Sequence, residues 1–246
     1  MTAQIDFVDV VRREAVRCSR LLRSVDHAVD VPHLPGWTVG DVAAHLAGDF
    51  RWATGIISAR AGSGGLASVH ERGEALCEVF DDLAAAMVAA VAAAAADSDA
   101  PCPNFAERSR GRLGWWPRHQ AHETTLHRWD LETAAPARTP VDPALAADGV
   151  DELFGVYTRR YGPHDLDEPV TVRCLGVDAA WRVEPFGTRG RVRIHRVPGL
   201  HRADLEGDPA ALLLTLWHRL SPDDAGLVVR SNGEQVRAFL AGPLTA

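Results

Sequence analysis

Between Ala135 and Pro143 the chain reads Ala-Pro-Ala-Arg-Thr-Pro-Val-Asp-Pro. Proline lacks a backbone N–H and fixes φ, so neither a helix nor a central strand runs through this stretch. Two units are therefore expected, 1–137 and 138–246, each long enough to bury its own core. The pattern of the sequence changes across the boundary, from helical periodicity before it to short alternating runs after it.

In the first unit Phe7, Val11, Ala15, Cys18, Leu22 and Val25 form one apolar stripe, predicting a helix over 4–26. Pro35-Gly36-Trp37 precedes Thr38, an N-cap with Asp41 three residues on, which is a capping-box arrangement opening a second helix through Val42, His45, Leu46 and Trp52. The Gly/Ser-rich stretch Ala61 to Ser68 ends it. An alanine-rich third helix is expected from Gly73 to Ala96. Pro101 and Pro103 mark the next loop, and a fourth helix opens near Trp116-Pro117 and runs to about Ala134. Four helices imply an all-α bundle. The second unit reads as α+β. A helix over about 144–160 is followed by strands at Val170–Cys174, Ala180–Val183, Arg191–Ile194 and Arg202–Leu205. A helix at Pro209–Leu220, a strand at Leu227–Val229 and a helix at Gly233–Leu240 complete it.

All 26 basic residues are arginine, and the absence of lysine excludes a Schiff-base lysine, a Ser-Lys pair and a P-loop. Asp and Glu number 33, so the net charge is −7 and no basic run offers a field for phosphate backbones or anionic lipid. Neither nucleic acid nor membrane is expected as a partner. The apolar run Ala84 to Ala96 is shorter than the ~20 residues that span a bilayer. Arginines and acids break up the N-terminus where a signal peptide has its apolar stretch, and Cys18, Cys77, Cys102 and Cys174 are widely spaced. A reducing cytoplasm is the expected location.

Chemistry concentrates in Ala121-His122-Glu123-Thr124-Thr125-Leu126-His127-Arg128-Trp129-Asp130, which approaches the H-E-x-x-H zinc motif but is one residue too long. On a helix His122 and His127 stand roughly 140° apart, whereas Glu123 and His127 stand roughly 40° apart and converge. Catalytic zinc or non-haem iron takes three protein donors and keeps a position open, so a third donor must come from another helix. The best candidate is His45. Ordinary readings compete: a mid-helix histidine is commonly a hydrogen-bonded core residue, Glu and His four apart commonly form a solvated pair, and His119 shares the Glu123 stripe. Asp41 and Asp49, each four residues from His45, are candidates to orient its ring. Trp115, Trp116 and Trp129 read as core or cleft wall. Arg159-Arg160 and the arginines of Arg189 to Arg196 are candidates to meet an anionic cofactor, though a half-exposed strand explains the latter as well.

Three segments carry a family resemblance. Leu34-Pro35-Gly36-Trp37-Thr38-Val39-Gly40-Asp41-Val42-Ala43-Ala44-His45-Leu46, the run from His122-Glu123 to His127-Arg128, and the run from Asp204-Leu205-Glu206-Gly207-Asp208 to Trp217-His218-Arg219 resemble, in order, motifs of the mycothiol-dependent maleylpyruvate isomerase family. The resemblance implies a DinB-like four-helix bundle binding a divalent metal, usually zinc, which here falls on His45, Glu123 and His127. It also implies a sterol-carrier-protein-like C-terminal domain supplying an arginine to an inter-domain cleft. Arg219 matches that arginine, with His218 standing where the family commonly has glycine. The implied partners are a small-molecule substrate and a small thiol, mycothiol or similar. The implied reaction is cis–trans isomerisation of a maleylpyruvate-like dicarboxylate by thiolate addition and elimination. A mycothiol S-transferase and a non-catalytic binding relative are the alternatives.

Overall fold

The computed structural model describes residues 4–61, 68–107, 111–136, 138–158, 164–187 and 190–244. Backbone contacts divide the chain into two compact units, with the division between Thr139 and Pro140.

Among the described residues the N-terminal unit has four α-helices: α1 (Phe7–Leu22), α2 (Val39–Ala59), α3 (Gly73–Ala96) and α4 (Trp115–Leu131). α1 packs on α4 and α3, and α2 packs on α3 and α4. The first helix is shorter than its stripe predicts. Asp6 caps it by accepting from Asp9 N, and it stops at Leu22, leaving Val25 in the following turn. The capping box at α2 forms as expected, with Thr38 and Asp41 each satisfying the other's backbone N–H. Pro117 sits in the first turn of α4, which ends at Leu131 in a 3₁₀ turn, Glu132–Ala134.

Val11, Ala15, Cys18, Leu46, Phe50, Leu76, Phe80, Met87, Trp116 and Leu131 build the core of the bundle. α3 is, among the described residues, the one helix long and apolar enough to cross a membrane, a property the Ala84–Ala96 run alone does not give. In the fold its Leu76, Phe80, Met87 and Val91 are buried against the other helices. α4 departs from amphipathic design. It buries His119, Gln120, His122, Thr124, Thr125, His127, Arg128 and Asp130 alongside Trp116 and Leu126. Burying polar groups costs free energy unless each is bonded, so this helix is where a site is to be sought.

The C-terminal unit opens with α5 (Pro143–Glu152), capped by Asp142, and a π-helical turn, Leu153–Tyr157, follows it. Among the described residues its sheet has five strands in the order β3-β2-β1-β4-β5, with β1 (Val170–Cys174), β2 (Ala179–Pro185), β3 (Val192–Arg196), β4 (Leu205–Gly207) and β5 (Val228–Val229). β1 runs parallel to β4, and the other pairs are antiparallel. Val170, Val172 and Cys174 are buried and alternate with half-buried Thr171 and Arg173, the period of two that marks a strand. α6 (Pro209–Leu216) and α7 (Gly233–Leu240) complete the unit. α6 packs on α5, and α7 lies against β1.

Two expectations need correction here. The strand expected at Arg202–Leu205 begins only at Leu205. Asp204 accepts from Thr171 N and Oγ1 at 2.8 and 2.7 Å while its own N–H donates to Thr171 Oγ1, so the chain joins the ladder after this side-chain clasp. The helix expected to reach Leu220 stops at Leu216. Arg219 N donates to Leu214 O, His218 N donates to Thr215 O, and His218 takes φ +59°, a Schellman termination. Arg159, Arg160 and Arg189 lie outside the described residues.

Candidate functional site

α2 and α4 carry the donors. The imidazole of His45, on α2 among buried Ala44, Ala47 and Gly48, stands edge-on to that of His127 on α4, ring centroids 5.0 Å apart. Glu123 Oε2 lies 3.6 Å from His127 Nε2, and its Oε1 lies 3.9 Å from His119 Nε2. The structure thus sets His127 beside both His45 and Glu123, the other two donors expected from the sequence. His122 is not with them. It is buried on another side of α4, its ring 6.0 Å from that of Phe7.

Behind His127 sits a buried carboxylate. Asp130 Oδ2 is 3.1 Å from His127 Nδ1, and its Oδ1 is 2.8 Å from Nε2 of His33, in the segment before α2. With Nδ1 engaged by this acceptor, Nε2 is the nitrogen turned toward Glu123. Burial opposes charging of the ring, but the Asp130 and Glu123 carboxylates outweigh it and raise the His127 pKa to about 9. Neither Asp130 nor His33 was singled out from sequence. The angular rule that pairs Glu123 with His127 also sets Asp130 within roughly 60° of it, whereas His33 offers no local signal.

A second polar group flanks the first. Asp49, one turn on from His45, accepts from Gln120 Nε2 at 2.9 Å. Burial, reinforced by the Glu123 charge, pushes its carboxyl up to about 6. His119 stacks on Trp115 at 4.4 Å and meets Phe105 at 4.7 Å, so aromatic rings form the wall on this side. Asp41 is occupied by the α2 cap and Trp116 is core, while Trp129 packs between His33 and the Arg138 guanidinium.

Two imidazoles and a carboxylate are donors suited to a divalent ion with an open position. Two histidines bound to one tetrahedral ion at ~2.1 Å have ring centroids roughly 5 Å apart, which agrees with the separation of His45 and His127. Among the described residues no three His, Cys, Asp or Glu side chains already converge closely enough to hold an ion. In kind and adjacency the donors fit a metal; as placed they form an ion pair and a ring contact.

Residues 11–132, which contain all three donors, match the model of the mycothiol maleylpyruvate isomerase N-terminal domain. The chain belongs to the mycothiol-dependent maleylpyruvate isomerase family. A crystal structure titled as the mycothiol-dependent maleylpyruvate isomerase is similar at 16% identity over 88% of this chain and 89% of that chain, with a TM-score of 0.59, a shared fold. No curated protein matches the chain.

Within this family member, Arg219 follows directly on the Schellman turn and donates from Nη1 to Trp217 O at 3.0 Å, its guanidinium 5.6 Å from the Trp217 ring. The left-handed conformation suited to glycine at position 218 is adopted here by histidine. The arginines of β3 are engaged locally. Arg196 bonds Asp151 at 2.7 Å and Arg193 covers the Phe186 ring at 3.9 Å. All four cysteines are buried, and burial raises every thiol pKa, that of Cys174 to about 12.

Proposed function

We propose that this protein is a metal-dependent enzyme that uses mycothiol or a similar small thiol to convert a maleylpyruvate-like cis dicarboxylate into its trans isomer. The observation that carries the reading is the adjacency of His127 to His45 and Glu123, from two helices of a bundle whose fourth helix buries polar side chains. We read the helical unit as DinB-like and the α+β unit as sterol-carrier-protein-like.

His45, Glu123 and His127 are the residues that would hold the ion, with zinc suited to their nitrogen and oxygen donors. When bound there, a divalent cation favours the thiolate of a small thiol whose free pKa is about 8.5. The chain supplies the rest of the arrangement. Asp130 orients the His127 ring through Nδ1, and the rings of Trp115 and Phe105 wall the His119 side of the site. Arg219 holds a substrate carboxylate through its planar fork. The buried cysteines stay protonated at neutral pH, so the nucleophilic sulfur comes from outside the chain. Addition of that sulfur to the double bond leaves a single bond free to rotate, and elimination returns the trans isomer and the thiol.

The test joins metal analysis to turnover. His45→Ala and His127→Ala each lower bound zinc and isomerisation together, while His122→Ala spares the metal. Catalysis runs on trace thiol. Stoichiometric consumption of the thiol assigns an S-transferase instead, and loss of metal from His122→Ala but not from Glu123→Gln refutes the donor set.

A further inference from the structure

A cleft of about 450 Å³ opens beside His45 within the N-terminal unit, and Trp37, Asp41, His70 and Arg72 line it. Of its lining, the function proposed above uses His45 alone. The volume falls within the ~300–1,000 Å³ of small-molecule sites, and the walls combine two chemistries.

One wall is aromatic. Trp37 leaves 37% of its surface exposed, although its backbone is fixed on both sides: its N–H donates to Leu34 O at 3.0 Å and its carbonyl accepts from Val31 N at 2.9 Å. Its ring stands edge-on to that of His45, centroids 5.3 Å apart. An indole held in this way is a preformed platform for the C–H face of a ligand. The other wall is a balanced ion pair. Asp41 uses Oδ2 to accept from Thr38 N and Oγ1, and its Oδ1 lies 3.6 Å from Arg72 Nη2. Arg72 Nη1 donates to Glu71 O at 2.8 Å. An arginine with a carboxylate beside it is a poor trap for a second carboxylate, because Asp41 repels the incoming charge. Acceptor and donor side by side suit hydroxyl groups, which do both.

We propose that this cleft binds the polyhydroxylated, sugar-like portion of the thiol cosubstrate, with the carbon skeleton on Trp37, the hydroxyls on Asp41 and Arg72, and the sulfur end directed toward His45. The proposal rests on the thiol-dependent function above and locates its cosubstrate on the chain. Mycothiol carries such a portion.

The experiment is calorimetric titration of the full chain with S-methylated mycothiol, whose sulfur is blocked, and in parallel with maleate as a carboxylate probe. Wild type, Trp37→Ala, Trp37→Phe and Arg72→Ala are compared, and bound zinc is measured for each. Both exposed positions lie outside the core, so the variants keep the bundle; Asp41 is left intact because it caps α2. Trp37→Ala and Arg72→Ala each raise the Kd of the S-methyl compound about tenfold, Trp37→Phe restores most of it, and zinc content and maleate affinity do not move. Equal Kd values in wild type and variants, or failure of the S-methyl compound to bind wild type, overturn the proposal. So does a change confined to maleate, which gives the cleft to the dicarboxylate. Turnover with mycothiol in wild type is read separately. If it persists while the Kd values stay level, only the subsite falls; if it is absent, the function falls and the subsite with it.

Discussion

The carboxylate of Asp130 grips His127 from the side away from Glu123, 3.1 Å from Nδ1 and fully buried. A histidine held at one nitrogen presents the other in a fixed direction, and partners of this kind are typically worth 10- to 100-fold in metal affinity. Asp130→Ala is therefore expected to weaken zinc binding by roughly that factor in chelator competition, and Asp130→Asn by less, since its amide oxygen still accepts from Nδ1. His33 touches only the far oxygen of Asp130, so His33→Ala has the smallest effect. Equal affinity in all three variants means that Asp130 does not position the ring.

Next to His127, Arg128 points into a different network. Its Nε donates to Glu14 Oε2 at 2.7 Å, and its Nη1 donates to Glu132 Oε2 and Thr139 O, each at 2.7 Å. The group is buried, so removing the cation alone takes from Glu14 Oε2 and Glu132 Oε2 their shared buried cation, leaving Glu14 to Arg13 and Arg17 and Glu132 to Thr139. Breaking a buried pair in this way costs about 3–5 kcal/mol. Arg128→Ala lowers the urea midpoint accordingly, and adding Glu14→Gln and Glu132→Gln to an Arg128→Met background recovers most of the loss. If Arg128→Ala costs under about 1 kcal/mol, the network is not fastening α1 to α4.

These two networks mark the limit of what the sequence discloses. α3, β1 and α7 fall on their expected residues because alanine propensity, alternation and an amphipathic face are local patterns. The adjacency of His127 to Glu123 and His45, the donors proposed here, was foreshadowed by helical angle for Glu123 and His127 and by two of the three motifs, which carry all three residues. α4 as a buried helix was not legible. Its polar residues go all the way round, and periodicity assigns such a helix to solvent. The burial of Arg128 depends on Glu14, distant in sequence, and that of His33 on Asp130, contacts that leave no periodic trace. The β4 start was misplaced for a related reason, since the Asp204 clasp reaches back to Thr171.

That clasp gives the C-terminal unit a pH dependence. Burial alone raises the Asp204 carboxyl, but the hydrogen bonds from Ser231 and Thr171 hold it below its ordinary 3.8. A depressed carboxylate contributes stability that is complete above its unfolded pKa and is lost as pH falls through the folded value. Asp204→Asn is expected to lower unfolding free energy at pH 7 by about 1.5–3 kcal/mol, and the gap to wild type narrows below about pH 4. A gap constant from pH 7 to pH 3 shows that the charge on Asp204 is not what binds β1 to the β4 approach.

His218 and Arg219 separate backbone placement from chemistry. His218 occupies the left-handed position of the Schellman turn at φ +59°, which costs a side-chain-bearing residue about 1–2 kcal/mol relative to glycine. His218→Gly is therefore expected to raise stability by about 1 kcal/mol and leave kinetics unchanged, because the same backbone presents the same arginine. Arg219→Ala is expected to leave backbone and zinc content as they are but to remove the fork proposed to hold the carboxylate. It lowers kcat/KM for the dicarboxylate by about 10- to 100-fold, in KM if the contact is uniform and in kcat if it tightens in the transition state. Wild-type kinetics from Arg219→Ala would move the carboxylate to another arginine. Slower turnover from His218→Gly would mean that the imidazole, whose pKa is lowered by burial and by the neighbouring Arg219 charge, does more than fill a turn.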